Sequence, residues 1–184
     1  MKHVYHSSKV QGLKIIEPRI STHRNCWVYA MEKPEYCSVF LSEHGNLINQ
    51  IGFRNGIPYI AERFEGSLEY SYKDKIGSIY TLDGTDFKAG MTSFKYEVIC
   101  DHACEVISEE KIENCLEKIL RLELEGKIEI YRYPNLPQGL PPDKSDLIEY
   151  VVSRLLENPK SIILEEVKKF HPDILDEIIK RLKK

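Results

Sequence analysis

The chain has 184 residues, 42% of them hydrophobic and 30% charged, the composition of a folded globular protein rather than a disordered one. Lys and Arg number 26 against 29 Asp and Glu, a formal charge of −3, which argues against nucleic-acid binding by bulk charge. No apolar run nears the roughly 20 residues of a membrane span. The start, Met1-Lys2-His3, reaches polar Ser7-Ser8-Lys9 without an apolar signal-peptide core, so a cytoplasmic protein with no membrane partner is expected.

The first strand signal is Val4-Tyr5-His6, followed by Leu13-Lys14-Ile15-Ile16, which Pro18 ends. Cys26-Trp27-Val28-Tyr29-Ala30 is apolar, aromatic and β-branched, and reads as a second strand. Pro34 suits a first helical turn, so Glu35 to Leu41 is expected to be helical with Val39, Phe40 and Leu41 inward. Ile51-Gly52-Phe53 and Ile57-Pro58-Tyr59-Ile60 flank Arg54-Asn55-Gly56, and Asn-Gly is a strong hairpin signal. Ser67 to Tyr72 alternates with period two and predicts a strand. Further strands are expected at Ser78–Leu82, Phe94–Cys100 and Glu105–Ile107. Tyr59, Tyr70, Tyr72 and Tyr80 read as cross-strand packing residues.

Ser108 is expected to cap a helix over 109–125, whose Ile112, Cys115, Leu116, Ile119 and Leu122 have helical spacing, with Gly126 as its stop. Ile128 to Tyr131 is a last strand. Residues 133–143 hold four prolines and cannot form a helix or a central strand, so they read as an extended connector. Three helical segments follow, with apolar residues at 147, 148, 151, 152, 155 and 156 on one stripe. The class is α+β. A body (1–132), a connector (133–143) and a helical tail (144–184) are expected, and the tail stripe either covers the body or pairs with a second copy.

Five cysteines, Cys26, Cys37, Cys100, Cys104 and Cys115, form no Cys-x-x-Cys pair, and no disulfide framework is expected. Cys100-Asp101-His102-Ala103-Cys104 is the nearest approach to a metal motif, since strand alternation would put Cys100, His102 and Cys104 on one face. Structural zinc normally takes four ligands and no second Cys or His pair is nearby in sequence, so reduced cysteines beside a surface histidine, without a metal, are expected.

The chemistry-bearing residues are a histidine at a strand end, a tyrosine in an aromatic strand and a carboxylate in a later strand. Tyr5-His6-Ser7-Ser8, Val28-Tyr29-Ala30 with a helix after it, and Glu97 in Phe94-Lys95-Tyr96-Glu97-Val98 together resemble the motifs of the His-Tyr-Glu ADP-ribosyltransferases, over about residues 4–107. One departure is Ser7, where the family usually has glycine. The resemblance implies split antiparallel β-sheets with flanking helices. It implies a glycosyl transferase that takes NAD as its substrate, cleaves the nicotinamide–ribose bond and passes ADP-ribose to an acceptor the sequence does not name. It implies Glu97 as the catalytic carboxylate, with Glu105 and Glu69 as alternatives. His6, Ser7, Tyr29 and Arg19 would bind NAD, and His23-Arg24-Asn25 would lie near its phosphates. A module on the same fold that binds a nucleotide or a protein segment without catalysis, docking a partner through its tail, is the alternative.

Overall fold

The computed structural model describes residues 2–20, 25–41 and 45–183. In chain order the elements begin with β1 (His3–Ser8), β2 (Ile15–Ile16), β3 (Arg19–Ile20), β4 (Cys26–Met31) and α1 (Pro34–Ser38). A hairpin of β5 (Asn49–Arg54) and β6 (Ile57–Glu62) leads to α2 (Ser67–Tyr72), β7 (Gly77–Asp83), β8 (Lys88–Ala89), β9 (Glu97–Cys100) and β10 (Cys104–Ile112). Then come α3 (Cys115–Leu124) and β11 (Glu129–Tyr131). The tail holds α4 (Ser145–Glu157), α5 (Ile163–Phe170), a single 3₁₀ turn and α6 (Leu175–Leu182). The expected α+β class holds.

The main sheet has the order β2-β10-β7-β1-β4-β9-β8, with β3 paired to β4, and its pairs are antiparallel. A second sheet, β11-β6-β5, is mixed rather than antiparallel, because β11 runs parallel to β6. Its hairpin turns at Asn55-Gly56, both at positive φ, as the Asn-Gly signal requires.

The main sheet cannot be flat. Four strand spacings separate β10 from β9, about 19 Å at about 4.8 Å each. The chain crosses from Cys100 to Cys104 in four residue steps, which reach at most about 14 Å. The sheet must therefore curl, and a bulge in β10 between Val106 and Ser108 adds to the bend. Inside the curl lies an apolar cluster of Val4, Val28, Ala30, Tyr80, Leu82 and Val98. On the other face Met31, Ile79 and Ile112 pack with residues of α1, α2 and α3.

The expected helix after β4 is present but ends at Ser38, short of the expected Leu41. It begins at Pro34 as a first-turn proline, and both Val39 and Leu41 are buried, while Phe40 is half-buried. Three expectations fail. Residues 67–72 form a helix, not a strand. Their burial follows helical spacing, with Ser67, Leu68, Ser71 and Tyr72 inside and Glu69 and Tyr70 outside. Glu62 decides this, because its buried carboxylate takes the Leu68 amide at 2.8 Å, an acceptor no local pattern announces.

The helix expected over 109–125 starts only at Cys115. Residues 108–112 stay extended because they complete the ladder with β7. Asn114, not Ser108, is the cap, accepting from the Glu117 amide at 3.1 Å. Gly126, at φ 67°, ends that helix as expected. The strand expected from Phe94 begins at Glu97, and residues 94–96 turn into it.

The connector does not isolate the tail. Leu47 of the body joins Leu147, Ile148, Val151, Leu155 and Ile178 in one apolar cluster. His171, fully buried, bonds the Leu47 carbonyl through Nε2 at 2.6 Å. Arg63, 1% exposed, reaches Asp146 of α4 at 2.7 Å. Phe170 stacks on Phe64 with centroids 5.1 Å apart. Most of the tail stripe is thus spent on the tail's own packing and on the body, while Leu156 remains 69% exposed. Among the described residues no helix is long and apolar enough to cross a membrane.

Candidate functional site

β1 is central in the main sheet, and its two edges are used unequally. Along β7 it pairs continuously from His3–Asp83 to Ser8–Ser78. Along β4 the register shows one pair, Tyr5–Met31. Beyond it the strands part. The Tyr29 carbonyl, facing β1, is taken by the His6 ring instead, with Nδ1 2.7 Å away. The split opens at His6-Ser7 and is bordered on its far side by Tyr29.

A carbonyl only accepts, so His6 Nδ1 carries the proton and donates. Burial is the main influence on the ring and lowers its pKa below the ordinary 6.5, and the positive charge of Arg19 lowers it further, against the pull of the Tyr29 carbonyl. His6 is therefore neutral at pH 7, and its Nε2 is a lone-pair acceptor held in a fixed direction.

Cross-strand partners share a face of the sheet. Tyr5 pairs with Met31, Met31 with Glu97, and Tyr29 with Ile99. Alternation then places Ser7, Tyr29 and Glu97 on the face that also carries α1. His6, opposite Tyr80, projects to the other face with Val4 and Leu82. By register the four residues lie on three neighbouring strands, β1, β4 and β9, and a ligand reaching both His6 and Glu97 must thread the gap between β1 and β4. Ser7, Tyr29 and Glu97 are all half-buried. The Tyr29 ring leans on Trp27 at 6.0 Å, and its hydroxyl donates to the Asn25 carbonyl at 3.3 Å. Arg19 is exposed, on β3 opposite Trp27.

The alternatives to Glu97 lie elsewhere. Glu105 is exposed on β10 opposite Ile15 of β2, and Glu69 is exposed on α2, a helix and not the expected strand. His23 and Arg24 lie outside the described residues.

Two features of this region were not read from the sequence. An aromatic group packs beside Glu97: Tyr96 lies 4.8 Å from Phe53 and 5.0 Å from Tyr36, and Phe53 is 5.0 Å from Tyr36. These rings come from α1, β5 and the turn before β9, so no sequence window contains them. The second is a polar clamp on the loop after β1. Glu109 Oε1 accepts from the Gly12 amide at 2.7 Å and from Ser78 Oγ at 2.7 Å, and lies 3.1 Å from the Tyr80 hydroxyl oxygen. The Gly12 amide, then the Ser78 hydroxyl, hold this carboxyl below the usual carboxylate range. Tyr80 donates to the Val10 carbonyl at 2.7 Å. The loop that follows His6-Ser7 is thereby fastened to β7 and β10.

Comparison with family models, curated proteins and solved structures gives no match.

Proposed function

We propose that the split between β1 and β4 binds NAD and that the protein is an ADP-ribosyltransferase-like enzyme. The observation that carries this is the ending of the β1–β4 ladder at Tyr5–Met31, with His6 taking the freed Tyr29 carbonyl and Glu97 opposite Met31 on the next strand. The likeness of Tyr5-His6-Ser7-Ser8, Val28-Tyr29-Ala30 and Glu97 to the His-Tyr-Glu motifs adds to it.

In this reading His6 Nε2 accepts a hydrogen bond from a ribose hydroxyl, and its neutrality suits an acceptor. Tyr29 offers its ring to the nicotinamide face, a contact aromatic pairs favour. Arg19, close enough to His6 to lower its pKa, draws the diphosphate. Glu97 accepts from a ribose hydroxyl of the nicotinamide half. It also lies beside the positive charge that develops at the anomeric carbon as the C–N bond breaks and nicotinamide leaves with the electron pair. The acceptor nucleophile then forms the new bond at that carbon. Ser7 replaces the glycine whose backbone commonly meets the nicotinamide amide, so the Ser7 backbone must make that approach past a side chain.

Nicotinamide release from NAD by the wild-type chain and by Glu97→Gln, with calorimetric titration of both, tests the reading. The expected result is release by the wild type, a fall of at least about 100-fold in the variant, and retained NAD binding, because losing the carboxylate removes a transition-state contact. Absence of both binding and release by the wild type overturns it. Binding without release in the wild type selects the non-catalytic module.

A further inference from the structure

The three-residue crossing from β9 to β10 joins strands four places apart in the curled sheet, and it collects sulfur, imidazole and carboxylate. Cys100 is buried at the end of β9, and Cys104 opens β10. Cys100 Sγ lies 3.4 Å from His102 Nδ1 and 3.5 Å from its Nε2. Cys104 Sγ donates to the His102 carbonyl at 3.4 Å. Ligand atoms of Cys100, Asp101 and His102 fall within 4.8 Å of one another. Asp101 Oδ1 is 3.1 Å from His102 Nδ1, and Asp86 Oδ2 is 3.4 Å from Nε2. Lys88 approaches the other oxygen of Asp101 at 3.8 Å.

The geometry points to a divalent-metal site for zinc or a cation of similar softness, held by Cys100, Asp101 and His102, whose ligand atoms already converge, with Cys104 at the start of β10 swinging in as the fourth ligand. Around tetrahedral zinc, with bonds of about 2.3 Å to sulfur and about 2.0 Å to nitrogen, ligand atoms stand about 3.5 Å apart. The sulfur–nitrogen separations already have that size. Asp86 completes the arrangement: a metal-bound histidine gives its second ring N–H to a carboxylate, and Asp86 stands at Nε2 when Nδ1 takes the metal. The sulfur now sits beside the ring, nearly equidistant from both nitrogens, so the half-exposed His102 side chain must rotate to aim Nδ1. Binding replaces the two thiol protons, which pass to solvent, and forms two metal–sulfur bonds.

Structural zinc sites commonly draw their ligands as two separated pairs. The bend at 101–102 lets one short segment supply them all. The function of such an ion is a staple, closing β9 onto β10 three residues after Glu97.

The test uses the full chain, reduced with a non-thiol reductant and titrated with cobalt(II) and then zinc. One cobalt per chain is expected, with thiolate charge-transfer absorption and the strong visible bands of a tetrahedral site, both displaced by zinc. Cys104→Ser should weaken binding at least about tenfold and remove most of the charge-transfer absorption, and Asp86→Asn should weaken it about tenfold with the spectrum kept. Cys26→Ser, which changes the exposed thiol on β4, should bind like the wild type. Zinc should raise the melting temperature of the wild type and Cys26→Ser and not of Cys104→Ser. Far-UV circular dichroism of the metal-free variants establishes that each is folded. No thiolate absorption in the wild type, or the same affinity in Cys104→Ser, overturns the site.

Discussion

At the scale of residues, two histidines are held neutral by the fold. Burial is the main cause in both, lowering His6 and His171 below the ordinary 6.5. His6 is bonded to the Tyr29 carbonyl, and His171 to the Leu47 carbonyl with Lys144, Asp173 and Arg63 around it. As pH falls through 6.5 the unfolded chain takes up protons before the folded chain does, so the unfolded state binds more protons and stability declines. Their contribution is whole above 6.5 and is lost down to the folded-state values. The urea midpoint should therefore drop between about pH 7.5 and about pH 5.5, and the drop should be shallower in His171→Gln and His6→Gln. An unchanged slope in both variants would contradict the assignment.

At the scale of elements, the cap of α3 separates two readings that look equivalent in sequence. Ser108 and Asn114 are both cap-forming residue types, and each precedes apolar residues with helical spacing. Asn114 has Glu117 three residues on, the capping-box spacing, and it accepts the Glu117 amide. Ser108 is exposed within β10. Asn114→Ala should cost about 1 kcal/mol in urea unfolding, whereas Ser108→Ala should change stability by less than about 0.5 kcal/mol. A larger loss for Ser108→Ala would return the helix start to 109. The contrast between α2 and β5–β6 is of the same kind. Asn55-Gly56 carries its own conformation in the backbone freedom of two residues, so the hairpin was legible. Ser67 to Tyr72 alternates like a strand, but its first turn is organised by Glu62, and by Asn49 contacting both the Ser67 carbonyl and Ser71 Oγ.

At the scale of the whole molecule, the tail and the body share an interior. Leu47 and Phe64 from the body meet Leu147, Phe170 and His171, and Arg63 meets Asp146. Trp27 reports on the body alone, since it is the chain's one tryptophan and lies in β4. Its fluorescence and the helical circular dichroism should change in a single coincident transition on urea unfolding, and Leu147→Ala should shift both by the same about 2–5 kcal/mol. Two separate transitions would show that the tail folds by itself.

What the sequence determined by itself is what a few adjacent residues can enforce. The four prolines exclude regular structure from 133–143, Asn55-Gly56 makes a hairpin, Gly126 stops a helix, and the 147–155 stripe makes an amphipathic one. Composition and alternation were enough for the α+β class. The tertiary structure decided what depends on partners far along the chain. Glu62 turned an alternating segment into a helix, and the ladder with β7 kept 108–112 extended. The strand order β1-β4-β9 and the register Tyr5–Met31–Glu97 put Tyr29 and Glu97 on one face and His6 on the other. The bend after β9 gathered two thiols and an imidazole. A backbone amide accepts whichever satisfied geometry the surrounding chain supplies, and a local pattern specifies only the period of burial, not the distant acceptor that chooses between periods.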